Sequence, residues 1–489
     1  MRKLQTRSLV AFGAAITMAA TLAACGGGDD KDSGTTGGDT TASSDSGTDA
    51  GTDTGSDAGT DTGGEAASDV SGEITWYSWS PDTPVAEKYI AEFNKEYPNI
   101  KVTYKNFENV DYRASLIPSL DSGSGPDVYC IGAGADLTDT WGAYAMDLTD
   151  LAKEYLGDDY VNQFAAGYAE TLQDSDGRQV ALPLGGQAAG FMWYNKNIFD
   201  EAGVAAPPAT YDEWKDACAK IEEAGYKCFA MGAGGEDTFP TEMYHSIANS
   251  VDPEFFLKAA TGLANWDDPE GIQVLEIFKQ LKDDGIIPAN VLDAGQYPLA
   301  NEEFMKGEAA MVQMGMWYAQ YSGAESCLTA MESAGVSNPS CFVQMPMNFP
   351  DVAQKGNGSE VFGEVDYGMA VNEDSKNPEA AKTFVAWLTM TKTGQQNTTN
   401  AIDTIPALKG VYPDWSAITL VDQSVQQPAL EDLMAQSAAS SQTRQSQTTE
   451  ETLRAMVVAI QEVLDPTINK SIEDIAADFQ KASVPTDPR

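Results

Sequence analysis

The sequence predicts an α/β protein, and three observations carry the prediction. Short runs rich in β-branched and aromatic residues alternate with amphipathic stretches from residue 73 onward, the order that builds an open parallel sheet. The chain has 489 residues, 42% of them hydrophobic and 9% aromatic, enough for a large core or for two domains. Residues 181–203, ALPLGGQAAGFMWYNKNIFDEAG, read as a crossing between two halves. A turn at Asp176-Gly177 precedes an extended run, 179–184; Gly185-Gly186 then gives the backbone the freedom of a hinge before a second apolar run, 190–194.

Residues 73–79, EITWYSW, form the first strand by composition and run into a Ser80-Pro81-Asp82 turn. Val85, Tyr89, Ile90 and Phe93 give the following helix its apolar face, and Tyr97-Pro98-Asn99 stops it before a strand at 100–104. A second helix, 111–120, leads through DSGSG to a third strand at 126–131. In such sheets ligands sit beyond the carboxyl ends of the strands, which puts the loops 78–82 and 132–136 on one rim. Beyond the crossing, Asn195 opens a short helix that Gly203 closes. Thr210 and Glu213 have capping-box spacing ahead of another helix. Helices follow around 244–248 and 271–282, strands at 309–313, 343–346 and 362–371, and a strong amphipathic helix from Asn377-Pro378 through Trp387. The tail is helical, most clearly at 449–464 and 471–482, and nothing from 73 to 489 is apolar for long enough to cross a membrane.

The first seventy residues differ from the rest. Arg2, Lys3 and Arg7 precede an apolar run, 9–24, that ends in Leu22-Ala23-Ala24-Cys25, the pattern of a secretory signal with a lipobox, so Cys25 is the expected lipidation site. The bland alternative is a free cysteine in a spent leader. Residues 26–72 are Gly, Ser, Thr, Asp and Ala with eleven acids and one lysine, a solvated tether with a random-coil span of about 35 to 40 Å. The formal charge of −45 divides into +3 for residues 1–25, −10 for the tether and −38 for the remainder. That acidity argues against nucleic acid and against direct adhesion to anionic lipid.

Six cysteines in an exported chain allow disulfides. With Cys25 assigned to lipid, the economical pairings are local, Cys218 with Cys228 and Cys327 with Cys341, each contributing on the order of 3 kcal/mol at most. Cys130 is left over in an apolar run, where a buried inert thiol is expected.

Signals for catalysis are poor. One histidine, His245, rules out zinc sites built on two or three imidazoles, and its helical setting makes it a structural residue. No Gly-Lys dipeptide supplies a P-loop, GAGAD at 132–136 and GAGGED at 232–237 lack the third glycine of a dinucleotide loop, and DSDG at 174–177 is better read as a hairpin turn than as calcium ligands. No cofactor or metal is implied. A glycosidase needs only two carboxylates, yet among 74 acids no spacing singles out a pair. A saccharide site instead needs flat apolar faces for ring C–H surfaces and planar polar groups for hydroxyls. Trp79 and Trp317 are the candidate platforms, and Asp136, Gln187, Glu236, Asp237, Glu364 and Asp366 the candidate acceptors; Trp141, Trp193, Trp214, Trp266 and Trp387 belong to the core.

An ordered set of segments resembles the extracellular solute-binding proteins of ABC importers, in the sugar-binding family that includes maltose-binding protein. After the lipobox come GPD with its strand at 125–131, DGRQVALP at 176–183, WYNKNIFDEAG at 193–203, PATYDEW at 208–214, FMKGEAAMVQMGMW at 304–317, YGMAVNEDSKNPEAAKTFVAWL at 367–388 and IPALKGV at 405–411. The resemblance implies a two-lobed periplasmic-binding-protein-like α/β fold with a hinged inter-lobe cleft and crossings near Leu184, Met345 and Thr391. It divides the chain into signal peptide and lipobox (1–25), tether (26–72), an N-terminal lobe (73–184 and 345–390) and a C-terminal lobe (185–344 and 391–489). The family's cleft contacts fall on Ser78, Trp79 and Ser80, on Gly134 and Asp136, on Gln187, Glu236, Asp237 and Trp317, and on the loop ahead of Tyr367. Ser, Trp, Ser and Pro replace the charged side chains of maltose-binding protein in the first loop, which departs from a maltose site. The implied protein is a monomeric, non-enzymatic receptor, anchored through Cys25 on the outer face of the membrane, that passes a mono- or oligosaccharide to a permease. The alternatives are a secreted glycoside hydrolase, or the same fold holding a polyamine, amino acid or peptide.

Overall fold

The structure is a computed structural model that describes residues 69–134, 137–235, 239–358 and 360–486. The leader with Cys25, the tether up to residue 68, and Asp136, Glu236 and Asp237 lie outside the described residues. The strands are β1 Gly72–Ser78, β2 Ile100–Asn106, β3 Val128–Gly132, β4 Leu182–Ala189, β5 Phe191–Asn195, β6 Lys227–Ala230, β7 Ala309–Val312, β8 Gln344–Asn348, β9 Phe362–Val371 and β10 Ile405–Pro406. The helices named here are α1 Thr83–Glu96, α2 Asn109–Asp121, α3 Lys196–Ala202, α4 Tyr211–Glu223, α5 Phe239–Val251, α6 Pro378–Met390, α7 Lys392–Asn400, α8 Gln423–Ala439, α9 Glu450–Leu464 and α10 Ile472–Ala482.

The first sheet begins as the strand-helix alternation predicts. β1 buries Ile74, Trp76 and Ser78 on one face, pairs parallel with β2 in the register Trp76 to Tyr104, and pairs parallel with β3 on its other edge. α1 and α2 make the crossovers, and α6 adds Phe384 and Trp387 to an aromatic core around Phe93 and Trp76. The sheet is then completed in a way local periodicity does not reveal. β9, which follows β3 by more than two hundred residues, lies antiparallel between β3 and β4, giving the order β10-β4-β9-β3-β1-β2. The sheet is mixed rather than parallel. The second sheet has the order β6-β7-β5-β8, with β5 antiparallel to both of its neighbours.

β4 does not break at Gly185-Gly186. All eight of its residues are buried, and neither glycine has positive φ. A Cβ on Gly185 would lie 2.5 Å from the Cβ of Thr404, and one on Gly186 would lie 1.8 Å from the Tyr168 hydroxyl. The pair serves close approach of neighbouring chain, not hinge freedom. The left-handed residue is Gly190, at φ +92°, where the chain leaves the first sheet for β5 in the second. The expected crossings at Leu184, Met345 and Thr391 fall inside β4, inside β8 and at the α6–α7 junction. The chain passes between the sheets at Gly190 and again between β8 and β9, and α7 still packs on α1 and α6 beside the first sheet.

Local chemistry explains the second half's helix ends. Asn195 accepts from the N–H groups of Asn197 and Ile198 to start α3, and Gly203 closes it at φ +70°. Thr210 accepts from the N–H of Glu213 to start α4, whereas the Glu213 carboxylate reaches back to the N–H of Ala209, one residue before the usual capping-box partner. Both local disulfides are formed, Cys218–Cys228 and Cys327–Cys341. Cys130 is a buried free thiol beside the Ser78 hydroxyl, and burial pushes its pKa up to about 12. α9 and α10 return to the second core, where Phe479 stacks on Trp266 at 5.0 Å. Trp193, Trp214, Trp266 and Trp387 are fully buried and Trp141 nearly so. Among the described residues no helix is long and apolar enough to cross a membrane.

Candidate ligand cleft

Residues of both halves meet along the ends of β1, β3 and β9. At the end of β1 the Ser78 hydroxyl is wholly buried and donates to the carbonyl of Ser80 at 2.5 Å, so it is spent on holding the turn. The same Ser80 carbonyl accepts from the Tyr367 hydroxyl. Trp79 is half-buried, edge-on to Tyr112 at 5.0 Å and to Tyr367 at 5.2 Å. At the rim, Asp82 accepts from Tyr321 and Lys88 pairs with Glu325, two contacts that join α1 and its preceding turn to the second half. Gly134 lies beside the first turn of α9: a Cβ there would come within 3.6 Å of a Glu450 carboxylate oxygen. Glu450 in turn pairs with Arg113 of α2 at 2.5 Å.

The centre is organised by residues 440–448, the polar segment that connects α8 to α9. Its Gln442 is buried and fixed on every side. The side chain lies 3.0 Å from Nε2 of His245 and donates to the carbonyl of Pro253 and to Glu360, while its own carbonyl accepts from Gly363. His245 is sandwiched between Phe256 and Phe362, and burial lowers its pKa to about 3, so it is a neutral anchor.

Two residues on, Arg444 bridges buried acids of both halves. Its Nε donates to Glu242 of α5 at 2.6 Å, its Nη1 donates to Asp366 of β9 at 3.0 Å, and its guanidinium lies 5.1 Å from the centre of the Trp317 ring. The next two N–H groups, of Gln445 and Ser446, donate to the Glu364 carboxylate. Burial raises the pKa of Glu242, Asp366 and Glu364; Arg444 opposes that rise at the first two and the backbone donors oppose it at the third. Arg444 itself is held above its ordinary value by the surrounding acids in spite of burial.

Trp317 is half-buried on the second side of this cluster. Its indole N–H donates to the Tyr297 hydroxyl at 3.1 Å, and Phe239 packs 5.6 Å from its ring. The ring folds back over Gly315, where a Cβ would come within 2.0 Å of it. Gln187, by contrast, turns away from Arg444 although it sits opposite Glu364 in the β4–β9 register. Its amide donates to the carbonyl of Asp403 at 2.5 Å, and its buried Oε1 has no partner among the described residues. Asp403 is itself buried with one oxygen unpartnered among the described residues, and burial pushes its pKa up to about 7.

The structure therefore brings Trp317, Glu364 and Asp366 together, keeps Trp79 and Gly134 at the rim of the same region, and commits Ser78 and Gln187 to internal bonds. It adds Glu242 and Arg444, which sequence reasoning missed. One signal was available: Arg444 is the only basic residue between Lys409 and Arg454. Each acid at the centre is engaged by a guanidinium or by backbone N–H groups, an arrangement suited to holding polar groups rather than to moving protons. Among the described residues no three His, Cys, Asp or Glu side chains are placed to hold a metal ion.

Comparison with known proteins identifies the family and the fold. Residues 78–395 match the family described as bacterial extracellular solute-binding protein. A binding protein of Brucella abortus (strain 2308) is 27% identical over 47% of this chain and 54% of its own length. A Sinorhizobium fredii protein named a probable amino-acid ABC transporter periplasmic-binding protein is 26% identical over 60% of this chain and 63% of its own. The chain thus spans little more than half the length of these curated relatives. Among solved structures, a chitin oligosaccharide binding protein superposes with a TM-score of 0.64 at 22% identity over 84% of this chain and 99% of that one. A maltose-bound T. maritima protein gives 0.66 at 19% identity, covering 84% and 98%. The two-domain α/β architecture with an inter-domain cleft is common to them. The chain belongs to the bacterial extracellular solute-binding protein family.

Proposed function

We propose that this protein is the lipid-anchored receptor of an ABC importer, which captures a mono- or oligosaccharide between two lobes and delivers it to a membrane permease. The observation that carries the proposal is the convergence of an aromatic face, Trp317, with the buried acceptors Asp366 and Glu364 where the two sheets' halves meet. The fold neighbours named for chitin oligosaccharide and maltose support a saccharide. The lobes are taken as the halves built on the two sheets, with the expected bounds near 184 and 345 moved to Gly190 and to the link between β8 and β9, closing about the ligand, and Cys25 as the anchor on the outer face. Asp136, Glu236 and Asp237 are proposed as further contacts on the same rim, with Ser78 and Ser80 shaping the first loop.

A titration of intrinsic tryptophan fluorescence with maltose, a chitooligosaccharide and a xylooligosaccharide tests this. Saturable change with intact sugar recovered is the expected result, and Trp317→Ala should lose about 1 to 3 kcal/mol of affinity while the fold survives. An unchanged affinity would remove Trp317 from the site, and cleaved products would replace the receptor with a glycosidase. The Sinorhizobium relative's name favours one second reading, an amino acid, so amino acids belong in the panel. An unmodified Cys25 in the mature protein, read by mass spectrometry, would remove the anchor.

A further inference from the structure

Arg444 stands where a ligand would be expected to stand. It covers one face of the proposed platform, Trp317, and takes the inward oxygens of Asp366 from one half and Glu242 from the other. All three charged side chains are about nine-tenths buried, so no bulk water shares these bonds. The segment that carries Arg444 is not adventitious packing: Gln442 anchors it on one side through His245, Pro253 and Gly363, and Gln445 and Ser446 anchor it on the other through Glu364. A flat, donor-rich group lying on an indole between two carboxylates is also a description of a sugar ring with its hydroxyls.

We propose that Arg444 is an internal ligand of the cleft: a saccharide enters by displacing it from Trp317, Asp366 and Glu242. This rests on the receptor proposal above. It narrows the ligand class, because the acids left behind when Arg444 departs must be met by donors. The cleft therefore takes neutral, hydroxyl-rich saccharides and rejects uronates and phosphorylated sugars, whose anionic groups would face Glu242 and Asp366 without a cation. Arg444 also makes the unliganded protein resist binding, since the competent state is only the fraction with the guanidinium withdrawn.

The test uses the full mature chain, labelled with ¹⁵N in arginine, and the three oligosaccharides named above, with a glucuronate-containing oligosaccharide as the anionic probe. The Nε–H resonance of Arg444, assigned by its loss in Arg444→Met, should report a protected, hydrogen-bonded group without sugar and move to the position of free arginine at saturation. Calorimetry should show Arg444→Met binding the same sugar about tenfold more tightly than the parent, and the glucuronate probe binding neither. Binding with the Arg444 resonance unmoved and the affinities equal would overturn the internal-ligand proposal and leave the receptor intact. Loss of binding in Arg444→Met would overturn it in favour of a direct contact. Binding of the glucuronate probe would overturn the selectivity against anions. Binding of no saccharide to either form would overturn the saccharide receptor and this proposal with it.

Discussion

Among the ion pairs that join the two halves, one at the rim and one at the centre are chemically alike but energetically different. Lys88 and Glu325 meet at 2.5 Å with side chains 59% and 77% exposed. Arg444 meets Glu242 at 2.6 Å with side chains 10% and 5% exposed, and reaches Asp366 as well. Water screens the first pair and competes for its charges; it cannot do either at the second. A short distance therefore says little about strength until burial is known. The buried pair is not worth much as a pair, but losing one partner strands the other.

Arg444→Met leaves Glu242 and Asp366 buried without a cation, and urea denaturation at neutral pH should show a loss of about 3 to 5 kcal/mol. The sign of its pH dependence is fixed. Without Arg444 both carboxyls hold their protons further above the usual range, so the folded state keeps protons that the unfolded state releases, and the deficit grows as pH rises above about 4. A deficit independent of pH would mean that the acids are relieved some other way.

Asp403 differs from these acids in being buried with no cation beside it among the described residues. Tyr89 donates to one of its oxygens at 3.4 Å, and its pKa is raised from 3.8 to about 7 chiefly by burial. As pH rises from about 4 to 7 the unfolded chain loses a proton that the folded chain retains, and stability falls by about 1.4 kcal/mol per unit from this group, about 4 kcal/mol at most. His245 acts oppositely: its pKa is lowered from 6.5 to about 3, so stability falls as pH drops through that window. Between pH 4 and 6.5 the two slopes oppose each other. Asp403→Asn should remove one of them, raising stability at pH 7 to 8 and making the profile between pH 4 and 6.5 rise more steeply with pH, or fall less, than the parent's in thermal melts across that range. An unchanged profile would show that Asp403 is ionised throughout.

Gly315→Ala separates the platform from the charges above it. The added methyl would lie 2.0 Å from the Trp317 ring, so the ring must move, at a cost of about 1 to 3 kcal/mol in stability. Sugar affinity should fall with it, read in the same fluorescence titration, although none of the charged groups has been altered. Retained affinity would mean that Arg444 and its acids, not the indole, define the site.

These effects also mark what the chain reveals before it folds. β1, α1, β2, α2 and β3 were legible because alternation and helical spacing are local, and the Asn195 and Thr210 caps and the two disulfides because their partners lie within fourteen residues. β9 was legible as a strand but not as the antiparallel neighbour of β3 and β4, since pairing across so long a separation leaves no periodic trace. Gly185-Gly186 misled for a related reason: a glycine required by a neighbour's approach looks the same in sequence as one required by a turn. At the cleft, Trp317 and Asp366 could be suspected from residue type, but Arg444 lies 78 residues from Asp366 and 202 from Glu242. Nothing local records which cation neutralises which acid.

The smallest expected effect is at the rim. Lys88→Ala removes the pair with Glu325 and leaves both ends in water, so stability should change by less than about 1 kcal/mol, and by less still in high salt. Asp82 and Tyr321 keep the same edge closed through a neutral donor, which salt does not weaken in the same way. If the rim pair held the halves together, Lys88→Ala would tighten or loosen sugar binding as strongly as a change at Arg444, and the effect would fade as salt is added. An affinity that does not move on Lys88→Ala, beside one that moves about tenfold on Arg444→Met, would locate control of closure at the buried cluster and make the exposed pair a bystander.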